Sequence, residues 1–222
     1  MTYKLDFFFV FAKIGALLGG LAVSQELTAL AIVIGLVFGF VVAMMRLSRS
    51  RLLSVPAAAY IEFFRCTPAL VQIVWFYYCI PIIVGLALDP FSSVLLALGL
   101  NIAAFNAEAY RAAIQAIPSA HLDAATALGL SSLKRARYII LPQAVRLAAP
   151  VLVTNGIGIF QQSSLVSLVA IGDLMYRGRM LAVETYRPIE TLTLIALIYL
   201  LVTFIASLSV RLLERRLAAD TG

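Results

Sequence analysis

The sequence predicts an all-α integral membrane protein of about five transmembrane helices with one long loop on the cytoplasmic side, and three observations predict it. Of 222 residues, 63% are hydrophobic and 13% charged, with a mean hydropathy of +1.01, whereas globular domains carry roughly 25% charged residues. Five stretches hold no Asp, Glu, Lys or Arg: Leu27 to Met45, Pro68 to Leu88, Phe91 to Ala107, Leu147 to Gly172 and Thr191 to Val210. Each approaches or exceeds the roughly 20 residues that a helix needs to cross a bilayer. The runs are continuously apolar instead of alternating, which excludes a membrane barrel and leaves helices to satisfy the backbone in lipid. Disordered, collagen-like and disulfide-stapled secreted chains are excluded by the same composition.

The net charge of +6 does not point to nucleic acid, because the basic residues fall between the apolar runs. An odd number of crossings puts the two ends on opposite sides. Twelve of the 17 Lys and Arg residues lie on one side: Arg46, Arg49, Arg51, Arg65, Arg111, Lys134, Arg135, Arg137, Arg146, Arg211, Arg215 and Arg216. Lys4, Lys13, Arg177, Arg179 and Arg187 lie on the other. Cytoplasmic loops collect Lys and Arg, so the N-terminus is expected outside and the C-terminus inside. The expected division is an interfacial or periplasmic segment at 1–23, a membrane domain at 24–213 and a cytoplasmic tail at 214–222. Ala22-Val23-Ser24 could pass for a signal-peptide cleavage site, but a short segment along the outer surface is the plainer reading of Phe7 to Val23, which Lys13 interrupts. Cys66 and Cys79 are too far apart along a helix to bridge and are expected as free thiols.

Within the membrane domain, the connection 111–146 is much the longest on the cytoplasmic side. Pro118 and Ser119 can open a helix, Gly129 can end it in the left-handed conformation, Ser131 can cap a second helix, and Pro142 is expected to force another break. Two short helices in an L or V follow. Small or apolar residues on a braced turn facing the cytoplasm suit a protein partner.

At this loop the sequence resembles a known family. Asp123-Ala124-Ala125, then Gly129, then Ile139-Ile140-Leu141-Pro142 is similar to the EAA signature of bacterial ABC-importer permeases of type I. Asn106 to Pro118, Leu141 to Ala144, Glu62 to Pro68 and Ser164 to Ser167 resemble the polar amino-acid uptake branch of that family. Asp123 stands where the family usually has Glu, Cys66 where it has Gly or Ser, and Gln161-Gln162 where a Lys-Asp pair is common. The resemblance implies a bacterial inner-membrane permease paired with a second permease, identical or similar. It also implies an ABC ATPase dimer that uses ATP and Mg, and a periplasmic substrate-binding protein. By the same resemblance the cytoplasmic loop would be a coupling-helix loop, with Asp123, Ala124, Ala125, Gly129, Ile139, Leu141 and Pro142 coupling to the ATPase. Gly156 to Gln161 leans weakly toward glutamate- or aspartate-like substrates.

Nothing in the chain hydrolyses ATP by the P-loop route, since none of Lys4, Lys13 and Lys134 sits in GxxxxGK[ST]. No cofactor or metal is expected: His121 is the only histidine, no G-x-S-x-G occurs, and the two cysteines are far apart. A gradient-driven secondary transporter or channel is the competing reading, disfavoured by the lack of acids and bases within the spans.

Intramembrane polar groups mark pathways because they are costly there. Gln72, Asn101, Asn155 and the run Gln161-Gln162-Ser163-Ser164 are therefore candidates for the substrate path. The run is expected as a broken helix beside a watery cavity, its amides and hydroxyls offering donors and acceptors to a zwitterion. For Asn101, Asn106 and Asn155, hydrogen bonds between packed helices are an equal alternative. Glu62 and Arg65 either form a local pair, being three residues apart, or belong to a gate. Asp123 either pairs with Arg135 or Arg137 or meets a cation on the partner. Asp173, Arg177, Arg179, Glu184, Arg187 and Glu190 read as solvated surface that could meet a binding protein. Gly35 and Gly39 form a G-x-x-x-G that could draw helices together.

Overall fold

The structure, a computed structural model, describes residues 5–85 and 88–219, except for the side chains of Phe9 and of residues 213–219. Lys4, Arg215 and Arg216, used above for orientation, lie outside the described side chains, as does all of the expected tail at 214–222. The described chain is helical throughout: α1 (Phe7–Phe11), α2 (Ile14–Leu47), α3 (Arg51–Cys66), α4 (Ala69–Val84), α5 (Pro90–Gln115), α6 (Ser119–Ala127), α7 (Ser132–Val169), α8 (Leu174–Thr185) and α9 (Pro188–Ala219). Among the described residues, α2, α5, α7 and α9 are long and apolar enough to cross a membrane. The bent pair α3 and α4 makes a fifth crossing if the two count as one span.

The second crossing departs from the single run expected at Pro68 to Leu88. Alone, α4 is about 24 Å long at about 1.5 Å per residue, short of the roughly 30 Å of hydrocarbon. It meets α3 at 106°. Pro68 causes this: it has no N–H to continue the helix and pushes the preceding residue out of the helical region. Thr67 is accordingly extended, with φ −104° and ψ 133°.

Two other prolines do not break their helices. Pro142 was expected to end a short second helix, yet α7 runs from Ser132 to Val169. Its ring would meet the carbonyl four residues back, and a wide π turn over Ala136–Ile140 accommodates it, with the Leu141 N–H bonding Ala136 O. The same device precedes Pro81: a π turn over Trp75–Cys79, in which the Ile80 N–H bonds Trp75 O. The expected pair of short helices is therefore one short helix, α6, followed by a long one.

The core forms where α2 crosses α5. A Cβ on Gly39 would lie 2.8 Å from the backbone oxygen of Ala103, and one on Gly35 would lie 2.5 Å from Ile102 Cγ2, so the G-x-x-x-G does bring two backbones together. Leu27, Ala31, Ile73, Leu98, Ile102, Ile159 and Val166 fill the space where α4 and α7 join them.

The helix containing Leu27 begins at Ile14, thirteen residues earlier than the apolar run, so position 23 is no boundary of the fold. Residues 14–23 are a working part of the bundle. Leu17 and Gly20 are buried, a Cβ on Gly20 would lie 2.8 Å from Asp173 O, and Ser24 Oγ accepts a hydrogen bond of 3.2 Å from the Leu174 N–H. The charges expected as solvated surface are largely used within the chain. Lys13 bonds Glu184 at 2.5 Å, Arg177 donates to Gly172 O and Ala16 O, Glu190 is fully buried and accepts from Arg187 and the Asp6 N–H, and Asp173 caps α8 through the Met175 and Tyr176 N–H groups. Cys66 and Cys79 are free thiols.

Candidate functional site

Two features hold the candidate residues: a braced helix-turn at α6 and an amide-lined cavity between α5 and α7. Helix α6 ends as its sequence predicts. Gly129 takes φ +68°, the Leu130 N–H bonds Ala125 O at 3.1 Å, and the Gly129 N–H bonds Thr126 O at 2.9 Å. These two bonds close the C-terminus with a left-handed glycine and satisfy carbonyls that the helix leaves open. Two side-chain bonds then tie α6 to α7: Arg135 donates to Thr126 Oγ1 at 3.0 Å, and His121 Nδ1 lies 2.9 Å from Gln143 Oε1.

The face this brace presents is apolar and open. Ala125 is buried, holding α6 in place, whereas Asp123 and Ala124 are exposed and Leu128 and Leu133 are 78% and 79% exposed. Asp123 makes no ion pair among the described residues, and Arg135, a partner considered for it, is spent on Thr126. Of the remaining coupling candidates, Leu141 lines an apolar groove of about 290 Å³ with Phe40, Met44 and Tyr110, facing α2 and α5. Ile139 lies in the π turn, and Pro142 is exposed just beyond it. Neither the Thr126–Arg135 contact nor the His121–Gln143 contact was legible beforehand, because no helical spacing links residues on two different elements.

The cavity, about 170 Å³, is lined by Asn101, Ile102, Phe105, Thr154, Asn155, Gly158, Ile159 and Gln162. It borders a larger space of about 450 Å³, sharing Phe105 and Asn155, where Arg65 and Glu108 stand. Asn101 and Gln72 hold the bend of the second crossing. Where α3 stops, the carbonyl oxygens of Phe64 and Thr67 lose their helical partners; Gln72 Nε2 donates to both, at 2.9 and 3.0 Å. Asn101 Nδ2 donates to Phe64 O at 3.3 Å and to Gln72 Oε1 at 3.0 Å. Gln72 is 3% exposed and does not line the cavity; its polarity answers the broken backbone. Asn101 is also one of the residues around the cavity, although its Oδ1 is buried and has no hydrogen-bond partner among the described residues.

The run at Gln161 to Ser164 also divides. The helix is not interrupted there but tightens into a 3₁₀ turn over Ser163–Val169, ending at Ala170 with φ 56°. Ser163 and Ser164 turn their hydroxyls onto Phe160 O and Gln161 O, as short hydroxyl side chains do when carbonyls lie within reach. Gln161 faces a separate groove toward α9 with Arg211. Only Gln162 reaches the cavity, and its Oε1 is buried without a partner. Asn155 donates to Asn106 Oδ1 at 3.0 Å, a helix-to-helix bond, and also lines the cavity. Phe105, Thr154 and Gly158 are wall residues that the sequence reading missed; none is conspicuous in an apolar run.

Glu62 and Arg65 do not form the local pair. Glu62 accepts from Cys66 Sγ at 3.5 Å, while the Arg65 guanidinium lies 5.7 Å from the Phe105 ring centre, within cation–π range. Glu108 instead pairs with Arg111.

The described residues thus form a helical bundle with four to five candidate membrane crossings, an amide-lined cavity between α5 and α7, and an exposed helix-turn braced against α7. Residues 35–219 match the family described as binding-protein-dependent transport system inner membrane component, and the chain belongs to that family. It is 32% identical over 98% of its length to the arginine transport system permease protein ArtQ of Bacillus subtilis (strain 168), covering 99% of that protein. It is 33% identical over 97% of its length to the glutamate/aspartate import permease protein GltK of Escherichia coli O6:H1, covering 100% of it. Among solved structures, it superposes on a chain of an amino acid ABC transporter crystallised with histidines with a TM-score of 0.91, at 33% identity, covering 96% of this chain and 100% of that one. The chain is thus a permease of the amino-acid ABC-transporter class.

Proposed function

We propose that this chain is the membrane subunit of an ATP-driven importer for polar amino acids, in which α6 seats on a separate ATPase and the cavity between α5 and α7 lodges the substrate. In this reading α6 and the C-terminus are cytoplasmic and the N-terminus is outside. A second permease, the same or similar, completes the path, a soluble binding protein delivers the substrate, and ATP and Mg are handled by the ATPase dimer.

The observation that carries the reading is the α6 brace: a short helix closed by Gly129, tied by side-chain bonds to a 38-residue helix, and exposing Leu128 and an unpaired Asp123. A lever must be stiff along its length and open at its contact, and this element is both. The long helix it grips carries Asn155, Gly158 and Gln162 in the cavity wall, so α6 and the cavity are joined by one continuous helix. The weak lean toward acidic substrates gains nothing from the relatives, which are named for arginine as well as for glutamate/aspartate.

The test is uptake by proteoliposomes containing this chain with its ATPase and binding protein. Uptake is expected to need ATP and all soluble subunits; gradient-driven uptake by this chain alone would establish the secondary-transporter reading instead.

A further inference from the structure

Neither the α6 brace nor the amide-lined cavity uses the groove of about 290 Å³ between α2, α5 and α7. Its walls are apolar: Phe40 and Met44 from α2, Tyr110 from α5, and Ile140, Leu141 and Val145 from α7. The π turn over Ala136–Ile140 forms part of the α7 wall. The groove straddles the edge of the membrane. Phe40 and Met44 belong to the charge-free run that ends at Met45, beside Arg46, whereas Tyr110 lies past the run on α5 and Val145 ahead of the run on α7. Apolar surface is thereby carried out of the hydrocarbon into the headgroup layer, and Phe40, Met44, Leu141 and Val145 are all exposed there. Surface of this kind gains from an apolar cover.

The charge at the rim says what that cover carries. Arg137 is the one charged residue among those lining the groove, and no Asp or Glu lines it. Arg137 is exposed and makes no hydrogen bond or ion pair with another described residue. Lys134, also exposed, stands three residues earlier and so beside it on the helix surface. From Val145 to Arg137 the groove follows α7 for eight residues, about 12 Å at 1.5 Å per residue. An apolar slot that ends in an unpaired guanidinium matches an acyl chain joined to a phosphate, because the guanidinium fork binds phosphate bidentately and basic pockets between membrane helices bind anionic headgroups. A protein segment lying at this depth would have to bring backbone groups already paired, which a lipid chain does not.

We propose that the groove holds one anionic phospholipid, with an acyl chain along Phe40, Leu141 and Val145 and the phosphate on Arg137. Lys134 adds the second positive charge that favours an anionic over a zwitterionic headgroup. The proposal needs only that α2, α5 and α7 cross the membrane; it is independent of what the cavity lodges and of which side α6 faces.

The experiment is photo-cross-linking from benzoylphenylalanine introduced in place of Met44, in the permease–ATPase complex held in nanodiscs of equal parts phosphatidylglycerol and phosphatidylcholine with identical chains. Adducts are identified by mass spectrometry. A lipid adduct is expected, with phosphatidylglycerol outweighing phosphatidylcholine about five-fold, the ratio that one basic residue contributes at a membrane surface. Arg137→Gln, which breaks no bond to a described residue, is expected to bring the ratio to about one, and Arg137→Lys to keep most of the preference. Equal adducts with Arg137 in place, or a preference that Arg137→Gln leaves unmoved, would overturn the headgroup assignment, the second because the membrane-side charge of the whole chain would then explain it. Adducts to the ATPase or to a second permease in place of lipid would overturn the lipid as occupant and make the groove a protein interface. Absence of any adduct would overturn the groove as an occupied site.

Discussion

Gly129 offers a quantitative handle on the coupling helix. Its φ is +68°, and nothing stands within 4 Å of where a Cβ would be. A substituent there collides with nothing, so any defect has to come from backbone conformation. Holding an L-residue in the left-handed region costs about 1–2 kcal/mol, with β-branched residues at the upper end, and Asn is among the residues that tolerate it. For Gly129→Val, about 2 kcal/mol against the closed turn would favour conformers that lose the Leu130–Ala125 and Gly129–Thr126 bonds. If only the closed turn docks, the apparent affinity for the ATPase falls with its population, by up to about 30-fold. Gly129→Asn is expected to dock with less than a five-fold loss, from a cost of under about 1 kcal/mol. The assay is titration of the purified ATPase onto the permease in nanodiscs, with membrane insertion checked separately. Val and Asn variants of equal affinity would refute the backbone argument: equal and native would mean that the turn is not needed for docking, and equal and poor would mean that the glycine itself is contacted.

Two further outcomes follow from packing and from titration. Gly39→Ala sets a methyl 2.8 Å from Ala103 O, a backbone atom on a rigid helix that cannot swing aside, so overpacking should cost about 1–3 kcal/mol; a lower unfolding temperature in detergent is expected, and an unchanged one would mean that α2 and α5 are not held this close. Burial pushes the Asp173 carboxyl up to about 6 against its hydrogen bonds from Tyr176 and Met175. A raised carboxyl pKa means that the folded chain holds its proton more tightly than the unfolded chain, so this stabilisation is present in full below about pH 4 and is lost as pH rises toward 6, on the order of 2–3 kcal/mol. Asp173→Asn keeps a capping oxygen and is expected to flatten the thermal-stability profile between pH 4 and 6; an unchanged slope would assign it to other groups.

Gln72, Gln162 and the serines beside it show where sequence reasoning reaches its end. All are polar groups in apolar runs, and sequence treats them alike because the energetic reason for noticing them is the same. Their roles differ by what stands opposite: Gln72 meets two carbonyls orphaned by Pro68, Ser163 and Ser164 meet their own helix, and Gln162 meets a cavity. Pro142 and Pro81 show the same limit, since a proline announces a conflict with the preceding turn but a π turn resolves it as well as a break does.

Composition and the placement of charge by themselves determined a helical membrane protein, because lipid leaves the backbone no other partner than its own helix, and they determined the left-handed close of α6, because Gly129 is a local conformational preference. Tertiary structure alone decided which amides line a cavity, that α6 is bolted to α7 through Thr126 and Arg135, and that residues 14–23 belong to the bundle. Those are contacts between residues distant in the chain, and their energies depend on what the rest of the fold brings within about 3 Å, a quantity that no local pattern encodes.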